Sequence, residues 1–433
     1  MARSKNATIG DYVTLQRGKT YSGKLVGKPG PALLGLGSIE PGGGFRAGAY
    51  KTYGGECPEN LMLKPGDLYV ALKGATKDGS MIGSVARLPE TVKSGRLTQD
   101  TVKLEFHEAD ADVQRHIYWI LRTPQYRQYC SARAIGSAQA ALSREDFLSF
   151  PVPPITTASH ALVEVLEALE DKIELNQQMD RTLEAIARAI FKSWFVDFDP
   201  VHAKAEGRAP VGMDPETAAL FPDSFKDSPL GMIPTGWEVK SLDRIADFVN
   251  GAACQKYSAG PSSKPSLPVI KIRELGQGVS AQTDRARLDI PDKHRADDGD
   301  VLFSWSGTLL CRIWTGGPCF VNQHLFKVTS ASYPRWFYLL WINQHLKSFR
   351  GVAAGKATTM GHIKRSHLSE ALVVVPGKQL LTKMTEVMAP LVETQIMNEL
   401  ECRGLGTTRD SLLPRLLSGE LPMTPSEEVV ASA

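Results

Sequence analysis

Apolar residues along this chain follow two alternating regimes. Short runs broken by glycine and proline come first: PALLGLGSI, DLYVAL and TVKLEF, and later SLPVIKI, DVLFSW and HLFKV, all of which predict strands. HIYWILRTPQYRQYC and RWFYLLWINQHLKSF predict one helix each, and a short strand is expected where each set closes on prolines, at FPVPP and LVVVP. The period then changes. Leu162, Leu166, Leu169, Ile173, Asn176, Leu183, Ile186 and Ile190 approximate the four-three spacing of a coiled-coil seam. Leu380, Met384, Val387, Leu391, Asn398, Leu405 and Leu412 repeat it less cleanly, because Gly404 and Gly406 each weaken a helix by about 1 kcal/mol.

The second half of the chain replays the first. Ile9, Tyr12, Leu15 and Gly18 align with Leu242, Ile245, Phe248 and Gly251, and at the same offset PGDLYVALKGAT aligns with DGDVLFSWSGTL, setting Gly66-Asp67 opposite Gly299-Asp300. After a deletion in the second copy, Pro154 pairs with Pro376, Asn176 with Asn398, Leu183 with Leu405 and Ile190 with Leu412. Order kept over such a length marks an internal duplication. The expected fold class is α+β, arranged as a pseudo-twofold repeat. A mixed domain spans 1–155, a long helix 156–200, an aperiodic connector 201–235, a second mixed domain 236–376, a second long helix 377–420 and a disordered tail 421–433. If the two coiled-coil helices pack antiparallel, they hold the domains apart. A helix of about 35 residues spans roughly 50 Å, more than one turn of B-DNA.

Composition narrows the classes. With 433 residues, 42% hydrophobic and 22% charged, the chain reads as a soluble globular protein of two or three domains. No window offers the roughly 18 uninterrupted apolar residues of a membrane span, and no apolar run follows the N-terminus MARSKNATIGDYV, so a cytoplasmic location is expected. Cys57, Cys130, Cys254, Cys311, Cys319 and Cys402 show no metal-ligand spacing, which predicts reduced thiols and no metal. A net charge of +3 is too weak to announce a nucleic-acid protein, so any DNA surface must come from the placement of charge. Catalytic motifs are missing: there is no GxxxxGK[ST] loop and no Asn-Pro-Pro-Tyr or Asp-Pro-Pro-Tyr motif, and PGGGF is not followed by a helix. Cys319 and His324 form a pair without a third, orienting group.

Four segments carry a family resemblance. The stretch LEALEDKIELNQQMDRTLEAIARAIFKSWFVDFDPVHAKAEG (Leu166 to Gly207), FPDSF, PLGMIPTGWEVKSL and the late LLPRLLSGEL resemble the specificity subunit of Type I restriction-modification enzymes, over almost the whole chain. The resemblance implies two target recognition domains, each binding one half of a split, asymmetric site in double-stranded DNA. It further implies helices that set the spacer and dock modification (methyltransferase) subunits, two of them, with restriction subunits completing the assembly. Methyl transfer and cleavage then belong to the partners: S-adenosylmethionine to the modification subunit, ATP and Mg to the restriction subunit, and no cofactor to this chain.

DNA contact asks for cations at phosphates and for Arg, Asn, Gln, Ser or Thr at base edges. In the first domain two loops supply them: Lys73, Thr76 and Lys77, then Arg133, Ser137, Gln139, Ser143 and Arg144 around GSAQAAL, which is close to a Gly-Ser-Thr-Gln loop of the family. In the second domain the counterparts are Ser304, Trp305, Ser306 and Arg312, and Lys356, Thr358, Thr359, His362, Lys364 and Arg365. Phe191, Trp194, Phe195 and Phe198 at the end of the first long helix either complete a core or form a partner-docking patch. Asn176 and Asn398, at matching seam positions, either fix helix register or face solvent. The competing class is a protein–protein scaffold with duplicated binding domains. Such a scaffold lacks the salt dependence that counterion release imposes on DNA binding.

Overall fold

The computed structural model describes residues 7–48, 50–74, 81–136, 140–260, 265–355 and 361–418. The expected tail, 421–433, lies outside the described residues. The chain divides into two compact units, Met1–Asp171 with Leu405–Ala433, and Lys172–Gly404.

The first unit carries strands β1 (Val13–Arg17), β2 (Ala32–Leu34), β3 (Lys51–Thr52), β4 (Met62–Leu63), β5 (Leu68–Ala71), β6 (Val85–Arg87), β7 (Gly95–Leu97) and β8 (Thr101–Phe106). They form two four-stranded sheets, ordered β1-β8-β5-β6 and β3-β2-β7-β4. Helices α1 (Ala111–Ile120), α2 (Pro124–Arg133), α3 (Arg144–Leu148) and the long α4 (Thr157–Phe195) follow. The single helix expected over HIYWILRTPQYRQYC is thus two. The Thr123 hydroxyl oxygen caps α2 by accepting from the Tyr126 N–H at 3.3 Å, and Pro124 opens the new helix with no N–H to extend the old one. FPVPP is reduced to one bridge, Thr8 with Pro151, since its prolines cannot donate to a ladder. The core joins Leu68, Val70, Ile117, Trp119 and Phe147 to Leu162 and Leu166 of α4 and to Leu413 and Leu416 near the end of the chain.

In the second unit the end of α4 is followed by the segment read as an aperiodic connector, and that segment is folded. Helices α5 (Asp199–Ala205) and α6 (Pro215–Leu220) and the hairpin of β9 (Phe225–Lys226) and β10 (Ile233–Pro234) set Val201, Phe221 and Ile233 in the core. β11 (Glu238–Ser241), α7 (Leu242–Ile245), β12 (Asp247–Asn250), β13 (Leu267–Ile270), α8 (Ile272–Gln277), β14 (Arg285–Ala286) and β15 (Arg295–Ala296) come next. β16 (Val301–Ser304), β17 (Cys311–Ile313), β18 (Cys319–Val321), β19 (Leu325–Thr329), α9 (Arg335–Ala354), α10 (Arg365–Glu370), β20 (Leu372–Val375) and α11 (Lys378–Ser418) complete the chain. The sheet orders β12-β19-β16-β17 and β14-β13-β18-β15 match those of the first unit strand for strand. The parallel strand pairings, β2 with β7 and β13 with β18, match as well.

The duplication reaches single atoms. Gly66 and Gly299 hold φ of 88° and 92°, a conformation that suits glycine, and each precedes an aspartate that closes the turn. Asp67 accepts from the Lys64 N–H at 2.9 Å and the Lys103 ammonium at 2.7 Å; Asp300 accepts from the Asp297 N–H at 2.8 Å and the Lys327 ammonium at 2.7 Å. At the aligned pair Gly18 and Gly251, an added Cβ would lie 1.8 Å from the Thr98 carbonyl oxygen and 2.3 Å from that of Asn322.

Within each unit the two long helices run antiparallel, since partner numbers fall on α11 as they rise on α4. Glu170 pairs with Arg409 at 2.8 Å in the first unit; in the second, Asn176 donates to Glu401 and Asn398 to Asp180, both at 2.7 Å. The seam departs from the expected spacing at two places. Ile186 and Val387 face outward, and their neighbours Ala187 and Met388 are buried in their stead, because a straight helix turns every 3.6 residues and drifts off a seven-residue repeat.

Two consequences can be measured. A Cβ at Gly404 or at Gly406 meets nothing within 4 Å and α11 is continuous through both, so Gly404→Ala and Gly406→Ala should each raise unfolding free energy by about 0.5–1 kcal/mol in urea titrations. Lower stability in either variant would contradict that placement. His116 is buried with neither ring nitrogen hydrogen-bonded, and burial, seconded by the charge of His160, pulls its pKa down to about 4. Its folded pKa lies below the unfolded value of about 6.5, so the unfolded chain takes up the proton first and stability falls as pH drops from 6.5 toward 4. His116→Leu should flatten that decline; parallel curves for wild type and variant would refute the assignment.

Candidate nucleic-acid interface

In each unit a short backbone ladder joins two loops that are far apart in sequence. β5 runs out at Ala71, and the next residues meet the loop before α3: the Leu142 N–H donates to the Leu72 carbonyl and the Gly74 N–H to that of Ala140, both at 2.9 Å, around a Lys73–Ala141 bridge. The second unit repeats this after β16. Ile363 donates to Trp305 at 2.9 Å and Gly307 to Gly361 at 2.8 Å, around a Ser306–His362 bridge. In each unit the described parts of the two candidate loops therefore meet along one edge.

In the first unit Lys73 stands exposed at the centre of its bridge. Arg133 lies over the Tyr129 ring at 3.8 Å and 3.8 Å from Asp146. Ser143 is the N-cap of α3, its oxygen accepting from the Asp146 N–H at 2.9 Å, and Arg144, the first residue of that helix, is exposed. Thr76, Lys77, Ser137 and Gln139 lie outside the described residues, as do Lys356, Thr358 and Thr359 of the second unit.

In the second unit the ladder carries an aromatic cluster. The half-buried Trp305 donates its indole N–H to the Gln323 carbonyl at 3.2 Å, and its ring centroid lies 5.7 Å from His324 and 6.3 Å from His362. Ser306 is buried, its hydroxyl 3.0 Å from His324 Nδ1. Ser304 corrects its expected role: fully buried, it accepts from the Leu310 N–H at 2.9 Å and donates to the Thr308 carbonyl at 2.6 Å, leaving nothing for a base. Arg312 lies on β17 opposite Leu302 and donates to carbonyls of α8, at 3.3 Å for Gly276. Lys364, at the N-cap of α10, is exposed; Arg365 donates to the Phe248 carbonyl at 2.8 Å and to Asn250 Oδ1 at 3.0 Å, tying α10 to β12. The Cys319 thiol, pushed up to about 12 by burial, stays protonated, and His324 bonds to Ser306, so the pair makes no activated nucleophile. Sequence reasoning passed over Gln323 and saw His324 only beside Cys319. The available signal was the three-residue turn, Asn322 to His324, between the runs CFV and LFKVT.

No family model matches the chain. It is 26% identical over 345 residues to the Type I restriction enzyme HindI specificity subunit of Haemophilus influenzae, covering 69% of this chain and 74% of that protein. With the MjaIX specificity subunit of Methanocaldococcus jannaschii it shares 25% identity over 321 residues, covering 72% and 70%. The chain is a relative of the Type I restriction enzyme specificity subunits. Its fold is also similar to that of the S subunit of the Type I restriction-modification system from M. genitalium, with a TM-score of 0.52 at 13% identity over 98% of this chain and 97% of that one.

In this specificity-subunit relative the aromatic residues at the end of α4 are core, which corrects the docking patch among the expectations. Phe191 stacks on Phe195 with centroids 5.0 Å apart, Phe195 touches Trp237, Trp336, Phe337 and Trp341, and Trp194 meets Phe221. Phe198, half-buried, packs on Trp237 and Phe225. The folded connector supplies Phe221 and Phe225 and, with Trp237 just beyond it, covers the rings. Asn176 and Asn398 are buried, at 0% and 8% exposure, and each bonds to a carboxylate on the other long helix.

Ser304→Ala should therefore lower unfolding free energy by about 1–2 kcal/mol, because the Leu310 N–H loses its side-chain acceptor in a buried site. Unchanged stability in chemical denaturation would contradict that buried role.

Proposed function

We propose that this chain reads DNA for a Type I restriction-modification complex and catalyses nothing itself. Each unit recognises one half of a bipartite, asymmetric target through the edge where its two loops meet. The antiparallel helices form a coiled-coil spacer and dock two modification subunits, with restriction subunits joining that complex. One observation carries the reading: two units with the same strand order and the same loop ladder carry different side chains on that ladder, Lys73 and Ala141 in one and Ser306 and His362 in the other. A duplicated scaffold with diverged edges suits two unlike half-sites. S-adenosylmethionine belongs to the modification subunit, and ATP with Mg to the restriction subunit.

The buried aromatic residues cannot dock a partner, but the outer face of α4 can. Leu175, Met179 and Ile186 are 53%, 40% and 42% exposed, and their spacing of four and seven residues sets them on one stripe of the helix, a surface for a modification subunit. No helix among the described residues is long and apolar enough to cross a membrane, and a complex acting on DNA works in the cytoplasm.

Coexpression with a modification subunit from the same genome, in a host lacking other adenine methylation, tests the proposal by long-read methylation sequencing. Adenine methylation at one split, asymmetric motif is expected. An assembled complex that leaves no new mark would favour the protein scaffold.

A further inference from the structure

Both units build the same exposed turn beside the loop ladder, and the function proposed above leaves it unassigned. In the first unit it enters β8: the Thr101 N–H donates to the Thr98 carbonyl at 3.3 Å, Thr98 donates to Leu34 at 3.2 Å, and the Thr101 carbonyl accepts from Gly18 at 3.2 Å. In the second it enters β19 with the same three bonds: Leu325 to Asn322 at 2.9 Å, Asn322 to Ile270 at 3.0 Å, and Gly251 to Leu325 at 2.9 Å. The first central residue of the turn is Gln99 in one unit and Gln323 in the other, and both are exposed. Register places each turn at the edge described above, for Thr101 lies opposite Ala71 and Leu325 opposite Ser304, the last residues of the strands that lead into the ladders.

We propose that Gln99 and Gln323 are equivalent base-reading residues, one for each half of the target; this rests on the DNA-reading function proposed above. A carboxamide offers an acceptor and two donors in one plane, the set that matches the N7 and N6 groups of adenine in the major groove. The backbone beneath it is fixed. Gln323 donates its N–H to the Ala252 carbonyl at 2.9 Å and accepts the Trp305 indole N–H, so little besides its own side-chain torsions must be ordered on binding. Its amide nitrogen faces His324 Nε2 at 3.4 Å, while His324 Nδ1 meets the Ser306 hydroxyl, a relay that orients the carboxamide. Gln99 has Asp100 in the place of His324, and its side chain makes no hydrogen bond among the described residues. The two units thus share a reading group and differ in what steers it.

The test uses the full chain coexpressed with its modification subunit, as wild type and as Gln99→Ala, Gln323→Ala and Gln323→Glu, read by long-read methylation sequencing. Each alanine variant should relax a single base position in one half-site, cutting discrimination there roughly tenfold or more, with the other half unchanged. Gln323→Glu, of the same shape, should shift base preference at the position that Gln323→Ala relaxes. Variants that keep the wild-type motif, or that lower methylation evenly at every site, would overturn the assignment while leaving the DNA-reading function standing. A wild-type complex that marks no split motif would overturn both.

Discussion

The register between the two central strands of each unit governs everything at the candidate edge. Asp67 ties the turn before β5 to Lys103 of β8, and Lys103 lies opposite Tyr69 on one side and Gln16 on the other. Asp300 and Lys327 repeat the arrangement, with Leu302 and Val249 as the facing residues. A slip of one residue would send every side chain of the strand to the opposite face of the sheet. It would also part the end of β5 from the turn at Gln99, and the end of β16 from the turn at Gln323. The ion pair is half-buried, so its worth lies less in net stability than in rejecting that slip.

Whatever repeats was legible in the sequence. The duplication, the Gly66-Asp67 and Gly299-Asp300 turns and the two long helices all leave periodic or paired signals, and the structure returns the same strand order twice. What escaped depends on contacts made at a distance. A periodic pattern cannot show that Pro124 restarts a helix, nor that a segment without periodicity joins the core of Phe191, Trp194 and Phe195 through Phe221 and Ile233. Ser304 and Ser306 look like surface serines by type, and only the close of the strand into its ladder buries them. The loops of the candidate edge were found by composition, but their meeting was not, because the backbone bonds that join Leu72 to Leu142 carry no side-chain signature.

The long helices trade some stability for definition. Asn176 is fully buried, and its amide nitrogen donates to Glu401 while its carbonyl oxygen has no hydrogen-bond partner among the described residues. A leucine there would pack more favourably but would accept many axial positions of the neighbouring helix. An amide that must find a carboxylate accepts one. Asn398 imposes the same condition from the opposite strand of the pair, through Asp180. If the helices measure a spacer, such fixed register is what a ruler needs.

The composition of the first unit also has a consequence for synthesis. Its core draws on Leu162 and Leu166 and also on Leu413 and Leu416, so it closes only once Leu416 has left the ribosome. The second unit, continuous from Lys172 to Gly404, has all of its residues earlier. At roughly 5–20 residues per second, the amino-terminal half waits on the order of ten seconds or more with an apolar face uncovered. The part made first is thus finished only after the second unit, and a chain cut short before Leu413 loses part of the core of its own beginning.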